Sequence, residues 1–260
     1  MIDNAVYNKE EADVVFLGLN YYETCGEKGN GPELIREVIN LQSSYDMTTG
    51  KDFFDELKIC DLGDIKTKNY DELRKKTIEK LKGVKGTIIM LGGEHLVTLP
   101  VIEALKPENV LVLDAHADYY NEYNNNKHSY AAVTRRISEI AKKVVIAGVR
   151  DAVKQEIDDL KQSKNVKIIK FEDITKEVKT GNWYVSIDLD VLDPIYCPEV
   201  STPVPMGVTY ESLVNVLNKI CLHVNLVGLD IVELTASNKG LSSTTAGGII
   251  MNYLKRRCNT

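Results

Sequence analysis

Three short motifs set carboxylates and imidazoles just after apolar runs: Gly92-Gly93-Glu94-His95 after "IIML", Asp114-Ala115-His116-Ala117-Asp118 after "LVL", and Asp188-Leu189-Asp190 after "YVSI". A further acid, Glu233, closes the run "LVGLDIV". Side chains of an extended segment alternate, so positions i, i+2 and i+4 point one way. Asp114, His116 and Asp118 are therefore expected to converge, and Asp188 and Asp190 likewise. Carboxylates gathered this way repel one another unless cations or protons lie between them. A pair of divalent cations on His95, Asp114, His116, Asp118, Asp188 and Asp190 offsets that repulsion directly. Carboxylates with a minority of imidazoles and no thiolate suit Mn²⁺ better than structural Zn²⁺, and two imidazoles disfavour Mg²⁺. Ions sharing carboxylates about 3.5–4 Å apart would make a hydroxide available near neutral pH. Singly, each motif has a plainer reading: an Asp-x-Asp turn, or a glycine turn with His95 as a packed or capping residue. Their occurrence together, each at the end of an apolar run, favours the metal site.

Such a site needs elements that bring those ends together. Apolar, β-branched runs at 13–19, 57–61, 87–91, 110–114, 143–149, 166–169, 183–188 and 226–232 read as strands, several of them apolar at nearly every position, as in strands covered on both faces. Helix-period segments lie between or after them, at 32–44, 70–82, 97–105, 131–142, 152–162, 210–222 and 245–256. This alternation implies a three-layer α/β/α sandwich on a mainly parallel sheet of about eight strands. Ligands of such sheets bind beyond the carboxyl ends of the strands, where the polar motifs fall. No linker-like stretch or internal repeat divides the chain, so residues 1–260 read as one domain, and the Asn-rich piece "NEYNNNKHSY" reads as a surface loop.

The chain carries 32 Lys and Arg against 38 Asp and Glu, a net charge of −6, which argues against a nucleic-acid partner and accommodates a small cationic substrate. Five scattered cysteines without a C-x-x-C pair fit reduced thiols. A polar N-terminus and the lack of a long apolar run point to a cytoplasmic protein without membrane contact. Of the four histidines, His223 ends a helix-like segment, where the dipole favours it, and His128 lies in the Asn-rich loop, within possible reach of the site.

These motifs resemble the ureohydrolase family of arginases and agmatinases. The likeness rests on "GGEH", "DAHADYYNEY" and "SIDLDVLDP". It extends to "GLNYYETCGEKGNGPELIREVI", to the Thr-Pro loop "STPVPMGVT" with Thr202, and to "GLDIVEL" with Glu233. It implies an arginase-like fold, a homotrimer or homohexamer, and two Mn²⁺ ions. One ion would take His95, Asp114, Asp118 and Asp188; the other Asp114, His116, Asp188 and Asp190, with Asp114 and Asp188 shared. Glu233 would accept hydrogen bonds from a substrate guanidinium, Asp118 would orient a hydroxide attacking the guanidinium carbon, and urea and an amine would leave. Arginases place an asparagine where this chain has Tyr120, which turns the expectation toward agmatine, giving putrescine and urea. Agmatinases carry Ser-His-Gly in the next loop. Here Lys127-His128-Ser129-Tyr130-Ala131 puts Tyr130 in that histidine's place and Ala131 in that of glycine, leaving His128 or Tyr130 to assume its role. Relatives often have proline where this chain has Ala236, a change from which little is expected. Other readings within reach are arginine, guanidino-acid or formiminoglutamate hydrolysis, a one-zinc deacetylase-like enzyme, and a catalytically altered metal-binding regulator.

Overall fold

Strands that are apolar at every position must be covered on both faces, and the fold supplies that cover. The computed structural model describes residues 1–259 of the protein. In chain order the elements are β1 (Val14–Leu19), α1 (Gly31–Leu41), β2 (Tyr45–Asp46), β3 (Lys51–Asp52), α2 (Phe53–Glu56), β4 (Ile59–Ile65), α3 (Tyr70–Leu81), β5 (Thr87–Gly92), α4 (Thr98–Leu105) and β6 (Asn109–Leu113). There follow α5 (Val133–Ser138), β7 (Lys143–Ala147), α6 (Lys154–Gln162), β8 (Val166–Ile169), α7 (Ile174–Glu177), β9 (Asn182–Asp188), α8 (Tyr210–Ile220), β10 (Asn225–Val232) and α9 (Leu241–Arg257). Eight strands form one parallel sheet in the order β4-β1-β5-β10-β9-β6-β7-β8. Alternate residues of each strand enter different cores. Val14 and Phe16 pack with α1, α8 and α9 on one side. Val15, Leu17 and Leu19 pack with α3, α4 and α5 on the other. The expected three-layer α/β sandwich is thus the one observed.

Local chemistry sets several boundaries. Asn69 caps α3 by accepting from the Glu72 amide, and Thr209 caps α8 through the Ser212 amide. The helix expected over 131–142 is shorter: a 3₁₀ turn at Tyr130–Ala132 leads into α5, which stops at Ser138. The final helix begins earlier than its apolar spacing indicates, because the Gly240 amide donates to Ser243 Oγ and starts the turn at Leu241. Among the described residues no helix is long and apolar enough to cross a membrane.

At one edge of the sheet, α1 drives Arg36 into the interior with 3% exposure. Asp61 of β4 accepts from its Nε at 2.7 Å and its Nη2 at 2.9 Å, and Asp64 from Nη1 at 2.6 Å. Burial alone would raise the Asp61 carboxyl, but the guanidinium outweighs burial and holds it below its usual value. A carboxyl depressed in the folded state contributes stability above its unfolded pKa of about 3.9, and loses that contribution as pH falls through the folded value. Asp61→Asn should therefore cost about 3 kcal/mol at neutral pH, the low end for a broken buried pair because Asp64 remains. The deficit relative to wild type should shrink in urea unfolding carried out below pH 4 or so; a pH-independent deficit would show that the ion pair is not its source.

Candidate metal centre and cleft

The carboxyl ends of β5, β10, β9 and β6 lie side by side in the middle of the sheet, and each delivers part of the cluster. After β5, a 3₁₀ turn holds His95, with Nδ1 3.1 Å from Asp114 Oδ2, 3.0 Å from Asp118 Oδ2 and 3.3 Å from Asp188 Oδ2. His116 Nδ1 lies 2.8 Å from Asp190 Oδ2 and 3.5 Å from Asp114 Oδ1. His95, Asp114 and Asp188 form one group able to hold a cation, and Asp114, His116 and Asp190 another. Asp114 belongs to both, turning one oxygen toward each imidazole.

The side chains converge, but not by strand alternation. β6 ends at Leu113, before the first ligand. Asp114 Oδ1 then accepts from the His116 amide at 2.6 Å, bending the chain at Ala115, and Asp118 takes a left-handed φ of 47°. At the second motif Asp188 Oδ1 accepts from the Asp190 amide at 2.9 Å and opens a 3₁₀ turn. In both places the carboxylate shapes its own loop, a common habit of aspartate. Glycine is required close by. At Gly93 a Cβ would stand 2.1 Å from Tyr21 O, and Gly148, with φ 108°, passes where a Cβ would be 2.8 Å from Asp114 O.

These donors fit a pair of cations. His95 Nδ1 and Asp114 Oδ2 are fully buried and have no hydrogen-bond partner. The Ser186 hydroxyl donates to Asp230 Oδ1 at 2.7 Å, so Ser186 Oγ accepts from His95 Nε2–H at 3.1 Å and leaves the Nδ1 lone pair facing the carboxylates. Burial would lower the proton affinity of His95, yet Asp114, Asp118 and Asp188 raise it well above the ordinary value. His116 is raised to about 12, because Asp114 and Asp190 outweigh its burial. Burial and the Asp114 charge push Asp118 up to about 7, and burial with the Asp190 and Asp114 charges raises Asp188 strongly. The cluster therefore draws positive charge to its centre, which divalent ions supply more completely than protons do.

A supporting layer surrounds the cluster. Asp230, a carboxylate in the middle of the apolar strand β10, is fully buried and accepts from Ser186, from Tyr184 at 2.8 Å and from Thr98 at 2.9 Å. Glu94, equally buried, accepts from the Thr24 and Cys25 amides and from Thr24 Oγ1, fastening the loop before α1 to the turn that carries His95. Arg150 donates to the carbonyls of Asp190 and Val204, both at 2.7 Å, and to Pro205 at 3.0 Å, tying the second metal motif to the Thr-Pro loop. None of these three roles is displayed by the motifs themselves. A lone acid inside an apolar run is the signal that would have flagged Asp230; the roles of Glu94 and Arg150 depend on backbone groups that no motif displays.

Beside the cluster opens a cleft of about 210 Å³. Glu233, 4% exposed and at φ 67°, reaches it from the end of β10. Its Oε1 accepts from the His95 amide at 2.6 Å and its Oε2 from Ser201 Oγ at 2.5 Å. Burial pushes its carboxyl up to about 8 despite those bonds. Thr202 and Tyr130 line the same cleft. His128 is not among its walls: its ring lies 4.8 Å from that of Tyr70, on the outer side of the loop. Ala236 is buried in the core around α9, and its carbonyl accepts from the Asn30 amide ahead of α1.

A family model described as the arginase family matches residues 12–254. The chain is 34% identical to the N(1)-aminopropylagmatine ureohydrolase of Thermococcus kodakarensis, over 94% of its own length and 90% of that protein. It is 31% identical to the agmatinase of Pyrococcus horikoshii, over 94% and 92%. Among solved structures, the agmatine ureohydrolase of Thermoplasma volcanium superposes with a TM-score of 0.86 at 27% identity, covering 98% of this chain and 93% of that one. With this match spanning nearly the whole chain, and with paired metal-holding groups at the ends of its central strands, the protein belongs to the arginase family.

Proposed function

We propose that the protein hydrolyses agmatine to putrescine and urea, using two Mn²⁺ ions held by His95, Asp114, Asp118 and Asp188 and by Asp114, His116, Asp188 and Asp190. The observation that carries this reading is Glu233: a buried carboxylate at the wall of the cleft, bonded through one oxygen to the backbone of a candidate metal ligand. Carboxylate oxygens have lone pairs beyond those already engaged, so Glu233 accepts from the guanidinium N–H groups and holds the guanidinium carbon over the cluster. Ions at this site polarise the reacting groups and lower the pKa of water. Asp118 accepts a hydrogen bond from the attacking water and orients it. The water oxygen becomes the urea carbonyl oxygen, the C–N bond to the alkyl chain breaks, and the departing nitrogen gains a proton to become the amine of putrescine. Thr202 flanks the guanidinium and Tyr130 the remainder of the substrate, and His128 has no part in this arrangement. The protein works as a homo-oligomer, trimer or hexamer, in the cytoplasm.

A second reading, N1-aminopropylagmatine as substrate, is favoured by the relative from Thermococcus kodakarensis, whose name carries that activity. Urea release from agmatine, N1-aminopropylagmatine, arginine and guanidinobutyrate, and formamide release from formiminoglutamate, should be measured with Mn²⁺ added. Agmatine is expected to give the highest kcat/KM. A higher value for N1-aminopropylagmatine would install the second reading, and no release from any of the five would defeat both.

A further inference from the structure

Beyond the acids and Thr202, the most distinctive wall of the cleft is aromatic. Tyr120, Tyr123 and Tyr130 all line it. Their rings meet edge to face, with centroids 5.4 Å apart for Tyr120 and Tyr123 and 5.7 Å for Tyr123 and Tyr130. The plain reading of such a cluster is hydrophobic packing, but none of the three is fully buried.

The backbone carrying them is built to hold still. Asn124 and Asn125 take left-handed φ values of 51° and 59°, and Tyr123 and Asn126 exchange backbone hydrogen bonds at 3.0 and 2.9 Å. That is a tight hairpin turn of the type asparagine favours, inside what the composition presents as a loose Asn-rich loop. At its two ends the Tyr120 amide donates to Ala131 O, and the Tyr130 amide donates to Thr24 Oγ1, itself bonded to buried Glu94. Order of this kind in an exposed segment fits side chains that must be positioned.

Charge indicates what they receive. No lysine or arginine is found among the described residues lining the cleft. Glu156 spends its oxygens on the Tyr119 and Val153 amides, and Asp151 stands at the open rim with its side chain 70% exposed. Apart from the candidate metal ligands, a substrate carboxylate would meet no cationic side chain among these walls. A cation on the substrate's far end would meet three tyrosine π-systems in the cleft wall, an arrangement that attracts alkylammonium groups.

We propose that Tyr120, Tyr123 and Tyr130 form the subsite for the distal ammonium of the substrate, and so set the preference for guanidines with an amine tail over those with an apolar or carboxylate tail. This rests on the guanidine-hydrolase reading above and assigns its specificity.

The test compares agmatine with n-pentylguanidine, in which a methyl group replaces the amine, on the Mn²⁺-loaded full chain. Wild type should prefer agmatine. Tyr123→Leu should cut the ratio of the two kcat/KM values by about 3- to 30-fold, the range of a desolvated cation–π contact, whereas Tyr123→Phe, which keeps the ring, should retain most of it. Binding of 1,4-diaminobutane by calorimetry provides a second readout that needs no hydrolysis. Wild type and Tyr123→Phe should bind it, and Tyr123→Leu, shown to be folded by circular dichroism, should bind more weakly by a similar factor. A ratio and a diamine affinity both unchanged in Tyr123→Leu would overturn the proposal. If neither guanidine is hydrolysed, the reading of function fails and the diamine measurement alone decides the subsite.

Discussion

Asp114→Ala should empty both metal positions together and lower kcat/KM by about a thousandfold or more, the scale of several kcal/mol of lost charge stabilisation. The reason is geometric. Asp114 turns Oδ2 toward His95 and Oδ1 toward His116, so it alone belongs to both cation-holding groups. Asp188 is shared in the proposed ligand set, but of the two imidazoles it approaches only that of His95, through Oδ2. Asp118→Ala serves as the comparison: this side chain approaches His95, so its loss should weaken one position and leave the other filled. Ions per chain, counted by plasma emission after dialysis against a weak chelator, separate these outcomes. Two ions retained in Asp114→Ala would refute the ligand assignment. Metal-stripped wild type, unfolded alongside, shows whether any change in stability comes from the lost ions or from the substitution itself.

A second large effect is expected at Glu233. Glu233→Gln keeps the shape but replaces one carboxylate oxygen with a donor. Its remaining oxygen can serve the His95 amide or the guanidinium face, not both with full charge. Truncating one member of a buried, hydrogen-bonded charge pair costs on the order of 2–5 kcal/mol, so kcat/KM should fall roughly 30- to 5000-fold while metal content stays at the wild-type level. Ser201→Ala removes only the donor to Glu233 Oε2, a hydrogen bond to a charged group worth about 1.5–3 kcal/mol, and should cost correspondingly less. Loss of metal in Glu233→Gln would mean that the residue acts chiefly by holding the His95 backbone, and its contact with substrate would need another explanation.

Much of this organisation is legible in the residues before any coordinates. Each of the eight strands of the main sheet overlaps an apolar run; the central ones follow it closely because burial on both faces leaves a signal at every position, whereas the edge strand β4 runs on to Ile65 and β8 at the other edge is largely uncovered. Helices with a single apolar stripe, such as α3 and α8, are equally plain. The hairpin of β2 and β3 and the short helices α2 and α7 are not, since two to four residues carry too little periodicity to register. At the cluster the residue types announce themselves, while the way they meet does not: extended alternation would have served, and the chain uses carboxylate-capped turns instead. The Asn-rich loop shows the limit most clearly. Composition presents it as solvent-facing slack, and His128 is the residue within it that attracts attention. Only the turn at Asn124 and Asn125 reveals that the tyrosines face inward and the histidine faces out.

The strand order carries a consequence for how the protein is made. β5 lies against β10, and β6 against β9, so the strands that meet at the cluster are remote along the chain. His95 and Glu233 are joined by a hydrogen bond across a sequence separation of 138 residues. Contacts of such span close late and slowly during folding, and a nascent chain that has emerged as far as the turn after β9 already holds every candidate ligand without the strand that completes the sheet between β5 and β9. The ability to take up ions should therefore appear abruptly, in the same kinetic phase as β10 insertion, making metal capture a clock for the last step of assembly.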